Sequence, residues 1–224
     1  MRTLLSLALG ALLCWPAALL ADTPEGENFD GLQLVEKDSR GEIYSDPNVD
    51  WSSYTKIMLD DAEVAFRKNW VRDQNRNRSL SMRVSDRDVQ RIKSDLADLF
   101  NEVFVEELRN NGGYDIVTEA AGDVMRISPK IVDLDVYAPE TTWSGGANRA
   151  YTDSSGKMTL KLEIYDSVTG DLLAAASDRR ESRRRGALEW TTSISNKSDA
   201  RHMLQRWATG LRERLHEASG HSTD

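Results

Sequence analysis

Two clusters of arginine are the most distinctive chemical feature of this sequence. The first lies within residues 67–83 and consists of Arg67, Lys68, Arg72, Arg76, Arg78 and Arg83, with Trp70 among them. The second consists of Arg179, Arg180, Arg183, Arg184 and Arg185. Because guanidinium groups bind carboxylates and phosphates through paired hydrogen bonds, converging clusters would form a site for an anion. The alternative is that these arginines pair with the 37 carboxylates of the chain itself.

From these clusters we predict a binding surface for an acidic ligand. Its predicted residues are Arg67, Trp70, Arg72, Arg76, Arg179 and Arg183. Tryptophan suits such a surface because it often anchors interfaces and stacks on sugars. The ligand we expect is an acidic protein, an anionic glycan or a lipid headgroup.

Two pairs of carboxylates offer a different chemistry. Asp133 and Asp135 lie two residues apart in a predicted strand, so their side chains share one face and could bind a cation or act as acid and base. Asp60 and Asp61 follow the first predicted strand of the folded body, where a catalytic carboxylate could also lie. A solvated sheet face and a strand-end turn are the alternative interpretations of these pairs.

Other catalytic patterns are missing from the sequence. The three histidines, His202, His216 and His221, have neither the His-x3-His spacing nor the His-Glu-x-x-His motif of a zinc site. The sequence contains no Gly-x-Ser-x-Gly motif, no phosphate-binding loop and no dinucleotide fingerprint. We therefore predict no metal site and no cofactor.

The N-terminus has the pattern of a secretory signal peptide. Arg2 precedes an apolar run over residues 4–13, which is too short to span a bilayer, and small residues allow cleavage after Ala21. Cys14 is the only cysteine, and lipidation there is disfavoured because the preceding residue, Leu13, is not small. We expect an exported, periplasmic protein with no transmembrane segment in its mature chain and with possible outer-membrane association.

The charge distribution divides the chain. Residues 22–50 hold nine carboxylates against Lys37 and Arg40, whereas the rest of the mature chain is almost balanced. Without a basic excess the protein is a poor candidate for nucleic-acid binding. We predict a signal peptide over 1–21, an acidic and partly disordered leader over 22–50, with a loop from residue 41, one folded domain over 51–218 and a disordered tail over 219–224.

Hydrophobic periodicity predicts the elements of that domain. Apolar residues at helical spacing predict a helix over about 85–110, with Ser85 as its cap and Asp88 completing a capping box. A second helix is predicted over 198–217, and residues 73–81 between the first strand and the first helix are predicted to form a loop.

Alternating apolar residues predict the strands. The segment 123–137 changes the parity of its apolar positions, so a bulge or kink near Pro129 is expected to return both sets to the core. Residues 158–165 and 171–178 form a hairpin around Gly170. The predicted fold is an α+β two-layer sandwich, with a mostly antiparallel sheet and both helices on one face.

Three segments, at residues 58–76, 129–140 and 158–174, together resemble the domain-of-unknown-function family numbered 3313 (DUF3313). The resemblance covers roughly residues 32–217. It implies an exported or lipoprotein-like protein of the bacterial envelope, and it implies no activity and no catalytic residues. The order of elements is also similar, more loosely, to modules of periplasmic lipoproteins that act as assembly or regulatory partners.

These observations favour a non-enzymatic interaction or assembly module of the cell envelope, whose partner is another envelope protein or an anionic glycan or lipid headgroup. The alternative is a periplasmic hydrolase or anionic-ligand-binding protein that uses Asp60 and Asp61, the Asp133 and Asp135 pair, or the arginine clusters.

Overall fold

A mixed eight-stranded sheet carries the long helices of this protein on one face. The computed structural model describes residues 29, 31–136, 151–152, 154–183, 189–190 and 193–220. The strands are β1 (Gln33–Lys37), β2 (Gly41–Ser45), β3 (Lys56–Leu59), β4 (Glu63–Phe66), β5 (Asp115–Ile116), β6 (Val124–Val136), β7 (Tyr151–Thr152), β8 (Ser154–Asp166), β9 (Leu172–Arg183) and β10 (Glu189–Trp190). The helices are α1 (Trp70–Asn75), α2 (Asp86–Glu106) and α3 (Ser193–Ser219).

The strand order of the main sheet is β1-β2-β9-β8-β6-β3-β5, and β4 pairs with β6 beyond the end of β3. The pairs β1–β2, β2–β9, β9–β8 and β8–β6 are antiparallel, whereas β3 and β4 run parallel to β6. Strands β7 and β10 form a separate pair. The predicted α+β sandwich is thus confirmed, with a parallel part around β6.

Helix α2 forms the centre of the helical layer. Ser85 caps its N-terminus and exchanges hydrogen bonds with Asp88, as the sequence predicts. Phe100 and Phe104 are fully buried, and their rings stack at a centroid distance of 3.9 Å. The helix continues as one π-type turn over Glu107–Asn111 and gives way to Gly113, whose φ of 71° suits glycine.

The predicted register shift of β6 is present, and it lies a few residues beyond Pro129. Pro129 pairs in register with Leu162 of β8, and the bulge lies between Val132 and Asp135. Ile127 O accepts a hydrogen bond from Asp60 N, so the backbone of Ile127 is directed toward β3 and β4. Pro129, two residues later, is directed to the same side, at the gap between β3 and β4. Its missing N–H therefore removes no hydrogen bond from the sheet. Asp133, with φ of 52°, is the bulged residue.

Three other boundaries differ from the prediction. Residues 41–45, predicted as loop, form strand β2, because Gly41 lets the backbone approach Ser177 of β9 closely. The predicted loop over 73–81 is partly wrong, since α1 extends to Asn75 and a 3-10 turn covers Leu80–Met82. Helix α3 begins at Ser193, five residues before the predicted start. Most of the predicted connection over 138–156 lies outside the described residues.

The Ser85 cap gives a direct test of the α2 boundary. Ser85→Ala is expected to lower the free energy of unfolding by about 1 kcal/mol, because it removes the side-chain acceptor for an otherwise unpaired N–H of the first turn. Urea denaturation measures the change. Ser94→Ala, at an exposed position inside the same helix, should be neutral or slightly stabilising. Equal losses in both variants would contradict the capping role.

The same box predicts a pH dependence. Hydrogen bonds from the side chain and the backbone of Ser85 hold the pKa of Asp88 below its ordinary value. The charged carboxylate therefore contributes stability that is fully present above about pH 4, the ordinary range of aspartate, and is lost as pH falls through the lowered pKa.

Urea denaturation of the wild type and of Asp88→Asn over a pH series should show a stability gap at neutral pH that closes in acid. Asp86→Asn, on an exposed first-turn carboxylate, serves as the control. A gap that stays constant down to the acid limit would contradict the proposed linkage.

Candidate functional site

The first arginine cluster lies on a segment that the fold anchors firmly. Asn69 adopts a left-handed φ of 64°, a conformation that asparagine tolerates, and this turns the chain from β4 into α1. Trp70 is only 1% exposed, stacks on Phe66 at 3.9 Å and donates from Nε1 to Val136 O at 2.9 Å. Trp70 is therefore a core residue that fixes the segment, and its ring does not face solvent.

A second anchor closes the loop that follows. Asn75 accepts a hydrogen bond from Val84 N at 2.7 Å and donates to Val84 O at 3.0 Å, so one amide imitates a backbone pair. Leu80, at the tip of the loop, is 81% exposed. Arg76 and Arg83 are also exposed, and neither forms an ion pair within the described part of the chain. The loop thus presents one large apolar side chain between two cations.

The arginines nearer the sheet are engaged in ion pairs. Arg67 contacts Asp73 at 2.7 Å and Asp135 at 2.8 Å, and Lys157 lies 3.4 Å from the same Asp135. Arg72 contacts Asp73 at 3.2 Å. The bond from Arg67 holds the pKa of Asp73 below its ordinary value. The alternative interpretation, pairing within the chain, therefore describes Arg67 well, whereas Arg72 retains a largely exposed guanidinium.

The second cluster is divided between the two faces of the sheet. Arg179 pairs in register with Thr159, on the face away from the helices, whereas Arg180 contacts Trp207 of α3. The backbone of Arg183 pairs with Ser154. Strands β4, β6 and β9 end at the same edge of the sheet, so the described residues of both clusters lie toward that edge. Two intervening strands separate them by about 14 Å.

The four carboxylates considered as catalytic have structural partners or exposed positions. Asp60 forms an ion pair with Arg126 at 2.9 Å. Asp61 is exposed and accepts a hydrogen bond from Asn101 at 3.0 Å. Asp133 is the exposed bulge residue, and Asp135 holds Arg67 as described above. None of the four lines the groove described next.

A groove of about 800 Å³ lies between α3 and the strands β1, β2, β8 and β9, on the helix side of the sheet. Its floor and walls are mainly apolar, formed by Ile43, Trp51, Leu160, Leu162, Ala174, Ala176, Trp207 and Leu211. This groove is not predicted from the sequence, because its walls come from β9 and α3, which are far apart in the sequence. Its only signal in the sequence is the run Ala174-Ala175-Ala176 in a strand, where alanine is disfavoured.

Small residues create the width of this groove. Ala174 and Ala176 line it from β9, and Gly210 lines it from the interior of α3. A glycine inside a helix costs about 1 kcal/mol relative to alanine. A Cβ at Gly210 would meet no described atom within 4 Å outside the backbone of its own helix. Packing against the described residues therefore does not explain this glycine.

The polar groups along the groove are largely satisfied within the chain. The carboxylate of Asp178 accepts hydrogen bonds from Arg180 at 2.7 Å and from Trp207 Nε1 at 2.8 Å. At the rim, Arg214 forms an ion pair with Glu36. The apolar residues of the groove therefore offer dispersion and hydrophobic contacts, beside charged side chains that are mostly paired with one another.

The described residues form an α+β sandwich with a mixed sheet. The chain belongs to the family described as protein of unknown function (DUF3313), whose model matches residues 23–211, and this confirms the resemblance seen in the sequence. No curated protein matches it.

Solved structures show distant similarity. A PelC dodecamer from Paraburkholderia phytofirmans is 12% identical, over 77% of this chain and 97% of that one, with a TM-score of 0.41. Protein XCC0632 from Xanthomonas campestris is 8% identical over 78% and 91%, with a TM-score of 0.43. The rare lipoprotein B from Shewanella oneidensis is 10% identical over 72% and 94%, with a TM-score of 0.29. Similarity at this level transfers no function.

Two features are absent from the described residues. No helix in the described ranges is both long enough and apolar enough to cross a membrane. No group of three or more histidine, cysteine, aspartate or glutamate side chains in those ranges is arranged to hold a metal ion.

Two glycines of the groove give a paired prediction. Gly210→Ala is expected to raise the free energy of unfolding by about 0.5–1 kcal/mol, because the helix gains propensity and the new methyl meets open space. Gly41→Ala should instead destabilise by roughly 1–3 kcal/mol, since its Cβ would lie 1.7 Å from Ser177 O. Chemical denaturation of both variants measures the signs. A loss of stability in Gly210→Ala would show that the glycine has a packing role.

Proposed function

We propose that this protein is a non-enzymatic interaction module of the bacterial cell envelope that docks onto an anionic partner through residues 67–83, here called the basic segment. The observation that carries the proposal is the composition of this segment together with its anchoring. It holds six basic side chains and one carboxylate, Asp73. It also presents the exposed Leu80 at its tip.

Charge complementarity defines the partner. Arg72, Arg76 and Arg83 are exposed in the basic segment, and no described carboxylate other than Asp73 forms an ion pair with them. An acidic protein surface, an anionic glycan and a lipid headgroup share the chemistry that would fill these positions. Leu80 adds an apolar contact that a soluble small anion would not use, which favours an extended surface.

The predicted binding residues take different roles in this proposal. Arg72 and Arg76 contact the partner directly, whereas Arg67 and Trp70 hold the segment in place through Asp135 and Val136 O. Arg179 extends the surface along the same edge of the sheet, three strand spacings away, and the backbone of Arg183 continues β9 toward that edge. The engagement of Asp60 and Asp135 in ion pairs supports an interaction function over a hydrolytic one.

The cellular location is part of the proposal. Residues 1–21 carry the pattern of a secretory signal, and this supports export to the periplasm. In that compartment the basic segment would meet anionic lipid headgroups, acidic glycans and other envelope proteins.

The test measures binding of the mature protein to anionic surfaces. Vesicles of phosphatidylethanolamine with and without phosphatidylglycerol, and a pull-down from envelope extract, separate a lipid from a protein or glycan partner. The variant carrying both Arg72→Glu and Arg76→Glu should bind at least about tenfold more weakly, since each cation near an anionic surface contributes roughly 1 kcal/mol. Binding of the wild type should weaken as salt rises.

The matched control is Arg109→Glu, an exposed arginine at the opposite end of α2. It reverses one positive charge away from the basic segment, as each substitution of the double variant does within it, so its binding should stay near that of the wild type. Equal losses of binding affinity in both variants would show that the effect arises from net charge and not from the basic segment. Unchanged binding of the double variant to every surface would refute the proposal.

A further inference from the structure

We propose that the groove beneath α3 binds the hydrocarbon chain of a single-chain amphiphile with an anionic head. This inference concerns a surface separate from the basic segment and does not depend on the function proposed for that segment. Three features carry it: small residues on both β9 and α3, an apolar floor on which the Asp178 carboxylate is satisfied, and Arg206, a lining cation without an ion pair among the described residues.

The small residues indicate a retained space. Gly210 of α3 and Ala174 and Ala176 of β9 line the same groove, and larger apolar residues at these positions would fill it. A Cβ at Gly210 meets no described atom outside its own helix backbone. In contrast, Gly41 in the same groove is required by contact with Ser177 O. Only Gly210 lacks a structural explanation.

The floor selects an apolar ligand. Strand β9 lies between β2 and β8, and β2 lies between β1 and β9, so the backbone groups of the floor are engaged in ladders and cannot pair with an added strand. The carboxylate of Asp178 is already engaged by Arg180 and Trp207. What enters the groove gains hydrophobic contact without specific hydrogen bonds, which suits a hydrocarbon chain.

The size favours a small ligand over a protein segment. The volume of about 800 Å³ falls within the roughly 300–1,000 Å³ of small-molecule sites. A helix with its side chains is about 10–12 Å across and would need a broader trough than one opened by alanine and glycine. A flexible chain of methylene groups needs only the width that these small residues provide.

The rim supplies a position for the head. Arg206 lies one helical turn before Gly210, lines the groove and is exposed. The guanidinium of Arg206 forms no ion pair with any described residue, whereas Arg180 and Arg214, which also line the groove, are paired with Asp178 and Glu36. A carboxylate or phosphate head would bind Arg206 while the chain extends along Gly210.

The experiment uses the mature protein and a series of fatty acids, namely octanoate, dodecanoate and hexadecanoate, with calorimetry or displacement of a fluorescent fatty acid as the readout. Affinity should rise with chain length by up to about fourfold for each methylene buried, which is the equivalent of about 0.8 kcal/mol. Gly210→Leu should weaken dodecanoate binding at least tenfold, because its side chain occupies the path of the ligand.

The matched control is Gln205→Leu, which adds the same side chain at an exposed position of α3 that does not line the groove. Its affinity should stay within twofold of that of the wild type. Ala176→Leu blocks the opposite wall, and circular dichroism with thermal unfolding verifies the fold of each variant. Arg206→Ala should weaken fatty acids more than the corresponding alcohols.

Three outcomes would overturn the proposal. They are a wild type that binds none of the fatty acids, affinity that does not change with chain length, and folded Gly210→Leu or Ala176→Leu variants that bind dodecanoate as the wild type does. Equal weakening of acids and alcohols by Arg206→Ala would overturn the assignment of the head.

Discussion

The bulge at Asp133 is the constraint on which the arrangement of the basic segment depends. Side chains of a strand alternate between faces, so one extra residue exchanges the face of every residue after it. Beyond the bulge, Leu134 is buried opposite Phe66, and Asp135 holds Arg67 on the other face. Val136 O then accepts the bond from Trp70. Without the extra residue, Leu134 would face solvent and Asp135 would face the core.

The groove under α3 is left unfilled by side chains of the described residues. Protein interiors are packed as densely as organic crystals, and natural sequences usually fill the space between a helix and a sheet. Here the residues that could fill it are alanine and glycine, while the neighbouring Leu160, Leu162 and Trp207 pack normally. The chain thus combines a well-packed core, to which both α2 and α3 contribute, with an open groove along α3.

Local sequence patterns predict those elements that are stabilised by contacts between residues close together in the sequence. The α2 helix follows from apolar spacing, and its start follows from Ser85 and Asp88, which interact within one turn. The α+β class follows from the order of such elements. Strand β2 was missed because its signal is weak: its five residues, GEIYS, are only half-buried and become a strand by pairing with β9.

Features that depend on distant contacts could not be predicted in this way. Trp70 lies among polar residues in the sequence, yet its burial depends on Phe66 and on Val136, which is 66 positions away. The change in parity of the apolar residues of β6 predicts a bulge but does not fix its position. Pro129 does not require the bulge, because it lies at a gap between two strands and removes no hydrogen bond there. The groove requires Gly210 and Ala176 to line the same space, and only the folded chain brings them together.

The amide of Asn75 has a consequence for how this surface can change. Its two hydrogen bonds to Val84 close the loop at its base, so residues 76–83 contribute little to the sheet or to the helical layer. The sequence and length of this loop can therefore vary while its two ends stay joined. A chain built in this way can exchange one recognition loop for another and keep the same scaffold.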